Sequence, residues 1–535
     1  LTTDADGRYS SRGLRVGGPY TITVSKDGEK SVNDEVYLVL AETTAVDLRL
    51  GSAQTQLEQV VVTGSASNNK FSSTNMGSGT QLGRQELETY ASIQRNLQDY
   101  ARTDPRLSQT DKERGEISAA GQNSRFNSIT VDGVRINDTF GLESNNLPML
   151  KQPISIDAIQ AVQVNLSNYD VTQTGYTGAN INAVTKSGTN SLSGSLYYVY
   201  RDENMAGSRF NSSTNTYFRP AGFAEDTKGF TLGGPIIKDT LFFFASYEEL
   251  TSTRNGPGFG VVGGSLPFTG LTQAQVDAAI NAARTKYSMD IGGTETPSGV
   301  ELSAKDTLLK LDWTISEKHR ANLRYTKSEE ANPIFPSTTS NTIMSLNSHW
   351  YTQAKTLKTL VGQVFSDWTE NFSTELKVSQ RDYDSVPINN SNLPMVTLIW
   401  NSSAAGSGIA STTAQSLRFG TENSRHFNKL GTKTLNTYFA GNLFLDDHEI
   451  KAGFDIEKND IYNAFLQNTR GVYEFRQAAA TAQVPNPPSP IDLFLAGTPT
   501  RYDVQLPLAG KSLADGAANW TTNNLGLFLQ DTWRV

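Results

Sequence analysis

The 535 residues include no cysteine. Disulfides and thiolate metal sites are therefore excluded, and an exported protein is compatible with that absence without being required by it. No stretch approaches the ~18–20 consecutive apolar residues that a membrane-spanning helix needs. Only 37% of residues are hydrophobic and mean hydropathy is −0.41, which excludes a helical membrane protein. There is no basic excess either: 46 Lys and Arg stand well mixed among 54 Asp and Glu, for a net charge of −8, so nucleic acid is not an expected partner. Catalytic signatures are equally scarce. The four histidines, His319, His349, His426 and His448, lie far apart with no ligand-like spacing. Gly510-Lys511-Ser512 has the ending of a phosphate-binding loop, but Gln505 stands where its first glycine belongs. Gly258-x-Gly260-x-x-Gly263 sits in a Gly/Pro loop and not between a strand and a helix. No enzyme activity, cofactor or metal is expected, although Asp446-Asp447 leaves a loop Ca²⁺ open.

What the chain does have is 24 Phe, 20 Tyr and 6 Trp scattered among Gly, Ser, Thr and Asn. That mixture suits transmembrane β-strands, whose residues alternate between lipid and lumen. A soluble multidomain β-protein has the same composition, so order along the chain has to decide. Residues 1–51 contain short strands, Tyr20–Val24 and Val36–Leu40, separated by turns such as Asp27-Gly28, as in a small β-sandwich. Residues 52–80 have the Gly/Ser/Asn-rich composition of a flexible linker. Within it, Gln59-Val60-Val61-Val62-Thr63-Gly64 is a β-branched run suited to adding as a strand to a partner's sheet edge. In 81–190 the 3–4 spacing of Leu87, Tyr90, Ile93, Leu97 and Tyr100 predicts one amphipathic helix over 85–102, ended by Asp104-Pro105. Asp132-Gly133 is a hairpin signal, and 154–164 reads as a helix–strand element.

Residues 191–535 alternate strictly, for example Leu309-Leu311-Trp313-Ile315 against Lys310, Asp312 and Thr314. Each strand therefore meets two chemically different environments. Connections alternate too. Short polar turns fall near 237–240, 316–320, 367–371 and 446–449, and long loops near 203–227, 253–304, 331–352, 384–428 and 466–519. Short turns on one side and long loops on the other is the arrangement of outer-membrane barrels. Ten strands are expected, starting near 192, 228, 241, 305, 320, 353, 371, 429, 449 and 520. A capping box at Thr272–Gln275 starts a helix in the longest loop, with Val276, Ala279, Ile280 and Ala283 on one face.

Several of these strings resemble the TonB-dependent outer-membrane transporters. Residues 176–200, YTGANINAVTKSGTNSLSGSLYYVY, resemble the join between the plug and barrel of that family. Gln122, Asn123, Arg125, Asp132 and Gly133 match its plug pattern of a polar turn entering a strand that ends in Asp-Gly. Gly178, Asn180, Thr185, Lys186 and Gly188 match the plug's exit. Gln59–Gly64 resembles the TonB box, which pairs with periplasmic TonB. Residues 229–248, GFTLGGPIIKDTLFFFASYE, and the end QDTWRV are similar to strings of the Oar-like subfamily. In that hairpin Gly-Gly-Pro ends pairing, and Phe242–Phe244 suits an aromatic girdle. Residues 3–9 and 18–24 resemble a carboxypeptidase-regulatory-like domain.

The resemblance implies a mainly β chain in four parts. These are a partial N-terminal β-sandwich (1–51), a linker with TonB box (52–80), an α/β plug (81–190) and the first ten or so strands of a large antiparallel transmembrane β-barrel (191–535). Barrels of this family close at about 22 strands, so truncation at both ends is expected, with roughly 400 residues outside the chain. It further implies the bacterial outer membrane, with residues 1–80 periplasmic. The expected partners are TonB, outer-membrane lipids and a large substrate: a peptide, protein or oligosaccharide. A glycan transporter working with a lipoprotein lid, and a non-transporting adhesion or structural β-protein, are the alternatives.

Overall fold

The computed structural model describes residues 3, 7–9, 11, 17–38, 46–50 and 77–533, apart from 112–113, 212–214, 220–221, 254–255, 267–268, 297–299, 339, 402–412 and 446. Gln59–Gly64 thus lies outside the described residues. Near the N-terminus one antiparallel hairpin is described, Gly17–Lys26 with Glu29–Leu38. Its turn is Asp27-Gly28 with both φ positive, at 51° and 88°, the conformation that a two-residue hairpin turn requires and that Asp-Gly tolerates.

Residues 77–185 form a compact α/β unit. Its five-stranded sheet has the order 77–82, 159–168, 180–185, 128–131, 134–135, and one core joins Leu82, Leu97, Leu147, Ile159 and Ile181. The single helix expected over 85–102 is two short ones, α1 (Arg84–Thr89) and α2 (Leu97–Ala101). The break has a local cause. The Asp99 carboxylate accepts from Ser92 Oγ and the Gln94 amide at 2.8 and 2.9 Å. Arg95 turns left-handed at φ 52°, and Asn96 caps the second helix by accepting from the Asp99 amide. The expected stripe is split accordingly: Leu87, Leu97 and Tyr100 are buried, while Tyr90 and Ile93 are exposed.

Ten antiparallel strands follow as one sheet in chain order. They are β1 (Ser193–Asp202), β2 (Ala224–Ile237), β3 (Leu241–Ser252), β4 (Leu302–Thr314), β5 (His319–Ile334), β6 (Tyr351–Thr369), β7 (Phe372–Asn389), β8 (Phe427–Leu445), β9 (His448–Leu466) and β10 (Ala518–Trp533). Register is continuous and staggered. The row that begins at Ser193, the first residue of β1, runs through Gly233, Phe244, Lys310, Arg324, Val361, Ser379, Asn436 and Glu457 to Asn524, nine residues inside the end of β10. That steady shift, about one residue per strand, is the tilt by which a sheet curls into a barrel.

The two faces differ as the alternation required. One carries Leu309, Leu311, Trp313, Leu323, Leu360, Leu376, Leu435 and Ile456, all exposed; the other buries Lys310, Arg324, Lys355, Thr359, Arg381 and Thr434. Phe242–Phe244 departs from the expected girdle because a strand cannot place three consecutive side chains on one face. Phe243 shares the outward row of Leu311, whereas Phe244 is buried in the inner unit's core. The exposed rings near the short-turn ends are instead Trp313, Trp368 and Trp533.

The long loops build a second core of their own. Five short strands, 343–345, 415–419, 395–400, 472–476 and 501–503, pair in that order into a mixed sheet. Helices α3 (Gln273–Tyr287) and α4 (Pro490–Ala496) pack on it around Leu398, Leu417, Phe419 and Phe494. Thr272 caps α3 through the expected box, and Val276, Ala279 and Ala283 face the core.

Candidate functional site: the seam between the inner unit and the sheet

The hairpin turn at Asp132-Gly133 takes φ of 49° and 73°, and this aims the Asp132 carboxylate at the sheet. It accepts from the Thr185 amide and hydroxyl at 2.8 and 2.7 Å and from Arg324 Nη1 at 2.5 Å. Lys310 Nζ stands 3.8 Å away and donates to Thr185 Oγ1 at 2.7 Å. Burial by itself would raise the Asp132 pKa; the Lys310 and Arg324 charges, with the Thr185 bonds, hold it at about 2. Two wall cations and the last residue of the inner sheet thus converge on one turn.

Four further polar clusters repeat the pattern around the unit. Arg95 bridges Asp157 of the unit and Glu248 of β3, the latter at 3.1 Å. Glu248 also accepts from Ser155 Oγ and Tyr197 OH at 2.9 and 2.8 Å. Lys355 of β6 binds Glu143 of the unit, while Glu330 of β5 accepts from the Leu150 and Lys151 amides at 3.3 and 2.9 Å. On β7, Lys377 donates to Gly133 O at 3.1 Å and Arg381 to Arg135 O at 2.9 Å and Thr139 Oγ1 at 2.6 Å. Lys451 of β9 meets Asp170 at 2.8 Å. Burial would raise the Asp170 pKa, but Lys451 and the Thr172 bonds lower it. Apolar contact is added at Phe244 and Leu308, and at Phe140 and Met149 against Leu357, Tyr383, Leu430 and Ile461. Nine strand spacings of ~4.8 Å would spread a flat sheet over about 43 Å. One 109-residue unit (77–185) touches β1 through Tyr197 and β10 through Gln530. The sheet therefore wraps around it, with the charged face inward.

The residues singled out in the sequence fall into three groups. Asn123 caps the turn 124–126 by accepting from the Arg125 amide, Gln122 accepts from Thr177 at 3.1 Å, and a Cβ on Gly141 would stand 2.8 Å from Arg125 Nη1. Gly178 has no room for a side chain, since a Cβ would lie 2.3 Å from Asn127 Oδ1. Asn180 is buried within the sheet. These residues shape the unit. Asp132, Gly133 and Thr185 are at the seam. Lys186 and Gly188 carry the chain from unit to wall: the Lys186 amide donates to Ala158 O at 2.8 Å. A Cβ on Gly188 would lie 2.3 Å from Phe243 O. Burial, then the nearby Arg84 charge, pull the Lys186 pKa down to about 8.

Sequence reasoning missed Asn127, whose amide joins Ile117 O at 2.8 Å and the Ala179 amide at 2.9 Å. It also missed the partners on the wall: Glu248, Arg324, Glu330, Lys355 and Arg381. Their signal was a charged residue on the inward side of an alternating strand, which gives the face but not the contact. In the loop core, His349 and His426 approach each other, but their rings bond the Gly420 and Thr421 carbonyls at 2.9 and 3.1 Å. Burial drops the His349 pKa to about 4. Among the described residues no group of three His, Asp or Glu could hold a metal ion.

A tilted antiparallel sheet, apolar outside, charged inside and wrapped around a folded unit, defines an outer-membrane β-barrel with an occupied lumen. Residues 184–535 match the family model described as an outer membrane beta barrel domain. The chain belongs to that family, and its place is the outer membrane. It is similar to the TonB-dependent transporter Oar of Myxococcus xanthus, at 33% identity over 135 residues, 24% of this chain and 12% of that protein. The fold resembles the outer membrane transporter YddB of Escherichia coli, with a TM-score of 0.58 at 10% identity, covering 85% of this chain and 55% of that one. The chain thus spans well under two thirds of either relative.

Proposed function

We propose that the chain is part of a TonB-coupled transporter that moves a large substrate, such as a peptide, protein or oligosaccharide, across the outer membrane. In this reading 1–51 is a partial regulatory-like sandwich, 52–80 a linker carrying the TonB box, 81–190 the plug and 191–535 the first ten strands of the barrel. Residues 1–80 are periplasmic. The observation that carries the reading is the seam. A barrel lumen is filled by a separately folded unit, and the contact is made largely of ion pairs and hydrogen bonds to side chains. For buried ion pairs the desolvation cost largely offsets the attraction, and hydrogen bonds are remade to water, so the unit can shift without unfolding the wall. An adhesin has no use for that arrangement. Among the described residues β1 and β10 each pair on one side only, which agrees with a wall completed by further strands, because lipid tolerates no open edge.

Coupling is assigned to Gln59–Gly64, a β-branched run that would add as a strand to TonB. Proline at Val61 removes one donor from that ladder, whereas Val61→Ile keeps it. Energy-dependent uptake in cells carrying the full-length gene should be lost in Val61→Pro and retained in Val61→Ile, with heat-modifiable gel migration unchanged in both. Normal uptake by the proline variant would remove the coupling assignment.

A further inference from the structure

Three long connections are fastened together at the turn Gly420-Thr421. The connection from β5 to β6 supplies Ser348 and His349. That from β7 to β8 supplies Ser391, the turn itself and His426, and that from β9 to β10 supplies Arg470. Gly420 takes φ 77° and a Cβ there would run into Pro394 O, so the turn has room for glycine only. Its amide donates to Ser348 Oγ at 3.0 Å, and its carbonyl accepts from His349 Nδ1 at 2.9 Å. The Thr421 hydroxyl donates to Ser391 O at 2.7 Å and accepts from Arg470 Nη1 at 3.2 Å. The Thr421 carbonyl accepts from His426 Nε2 at 3.1 Å, while Nδ1 of the same ring accepts from the Arg470 amide at 3.1 Å. A carbonyl can only accept and an amide N–H can only donate. His426 therefore closes this clasp only as the neutral ring with its proton on Nε2.

We infer that the clasp is an acid-sensitive switch, in which protonation of His349 and His426 releases the three loops from one another. The inference rests on the reading of the long connections as outer loops, which puts them in contact with the external medium. Both rings are buried. The charges that reach them are cationic: Arg418, on the strand 415–419, acts on His349, and Arg470 acts on His426. Arg418 donates to Ser337 Oγ at 2.8 Å, and that hydroxyl stands 3.5 Å from His349 Nε2. The neighbouring carboxylates are turned to other partners. Glu422 accepts from the Ser424 amide at 3.0 Å and lies 3.9 Å from Arg425 Nε, and Glu474 holds Arg476 at 3.0 Å. Arg425 itself sits over the Tyr351 ring. A proton on His426 Nδ1 breaks the bond from the Arg470 amide and sets a second buried charge beside Arg470. Burial, with the nearby cations added, holds His349 at about 4 and lowers His426 as well, against the pull of their carbonyl bonds. Parted loops take up the proton near the ordinary 6.5, so the clasp is at full strength above pH 6.5 and weakens as pH falls toward 4. His349 alone changes the closed-to-open ratio by about 300-fold across that window.

The test is amide exchange on the folded full-length protein in detergent, read by mass spectrometry and corrected for intrinsic rate between about pH 8 and pH 4. Segments 416–426 and 467–471 should keep their protection down to pH 6.5 and lose about 300-fold or more of it by pH 4. The inner strand 159–168 and the heat-modifiable migration of the barrel should not change. His349→Asn with His426→Gln places uncharged amide nitrogens where Nδ1 and Nε2 donate, and should flatten the pH profile. If the double variant has no protection at any pH, exchange of the ring C2 hydrogens in the wild type decides, because its rate follows the protonation of each ring. Both rings should then titrate below 6.5. Wild-type protection that is constant across the window, a double variant that keeps the wild-type slope, or either ring titrating at 6.5 or above would overturn the switch. No uptake is read, so a failure of the switch is distinct from a failure of the transport reading.

Discussion

Asp132 is where the seam concentrates its electrostatics. Replacing it with Asn leaves Lys310 and Arg324 buried without their counter-charge, a loss of about 3–5 kcal/mol for comparable buried pairs. Asp132→Asn should speed proteolysis of the 128–185 region while leaving the barrel's heat-modifiable migration unchanged. Adding Lys310→Met should recover part of the loss, because it removes one orphaned charge. The same carboxylate sets an acid response. Its folded pKa, about 2, lies below the ordinary 3.8, so its stabilisation is complete above pH 3.8 and is lost as pH falls through 2. Exchange protection at the Thr185 amide, corrected for intrinsic rate, should hold to about pH 4 and decline below it. Protection that declines instead between pH 5 and 7 would contradict that assignment.

Among the elements, the strands of the wall were legible because period-two alternation is a sustained signal over 10–19 residues. Strand starts expected at 241, 320, 371 and 449 fall at 241, 319, 372 and 448. The helix over 85–102 was misjudged for a physical reason: apolar spacing records which residues could share a face, but not that Asp99 and Asn96 would claim backbone amides and start a new helix. The mixed sheet of the loop core was invisible, since strands of 3–6 residues from three separate loops carry no periodicity and pair only after the wall has brought them together. The seam was half legible. Asp132 and Thr185 stood out in their motifs, whereas Arg324 and Lys355 looked like any polar residue of an alternating strand. The outward band makes its own prediction. Val364→Arg, near the middle of the apolar face, should lower barrel stability by about 2–4 kcal/mol, measured by reversible unfolding in the presence of lipid. Lys358→Arg, six residues along the same face toward the long loops, should be neutral. Equal effects would mean that the apolar face is not the one in contact with lipid.

At the scale of the whole molecule, two folded bodies share one lumen and are held by contacts of different strength. The wall is tied by long backbone ladders, and the inner unit by side chains that trade readily with water. A transporter needs that inequality, because the wall has to stay closed in lipid while the unit moves. In the proposed transporter the unit must shift against the wall for substrate to cross. The chain's lack of cysteine permits a direct measurement. Asp170→Cys and Lys451→Cys, replacing a pair whose charged ends are 2.8 Å apart, can be joined by a reducible bifunctional thiol reagent in otherwise full-length protein. Energy-dependent uptake should be retained before cross-linking, lost while the bridge is closed, and restored when it is reduced. Uptake that continues at the uncross-linked rate with the bridge quantitatively closed would contradict the account.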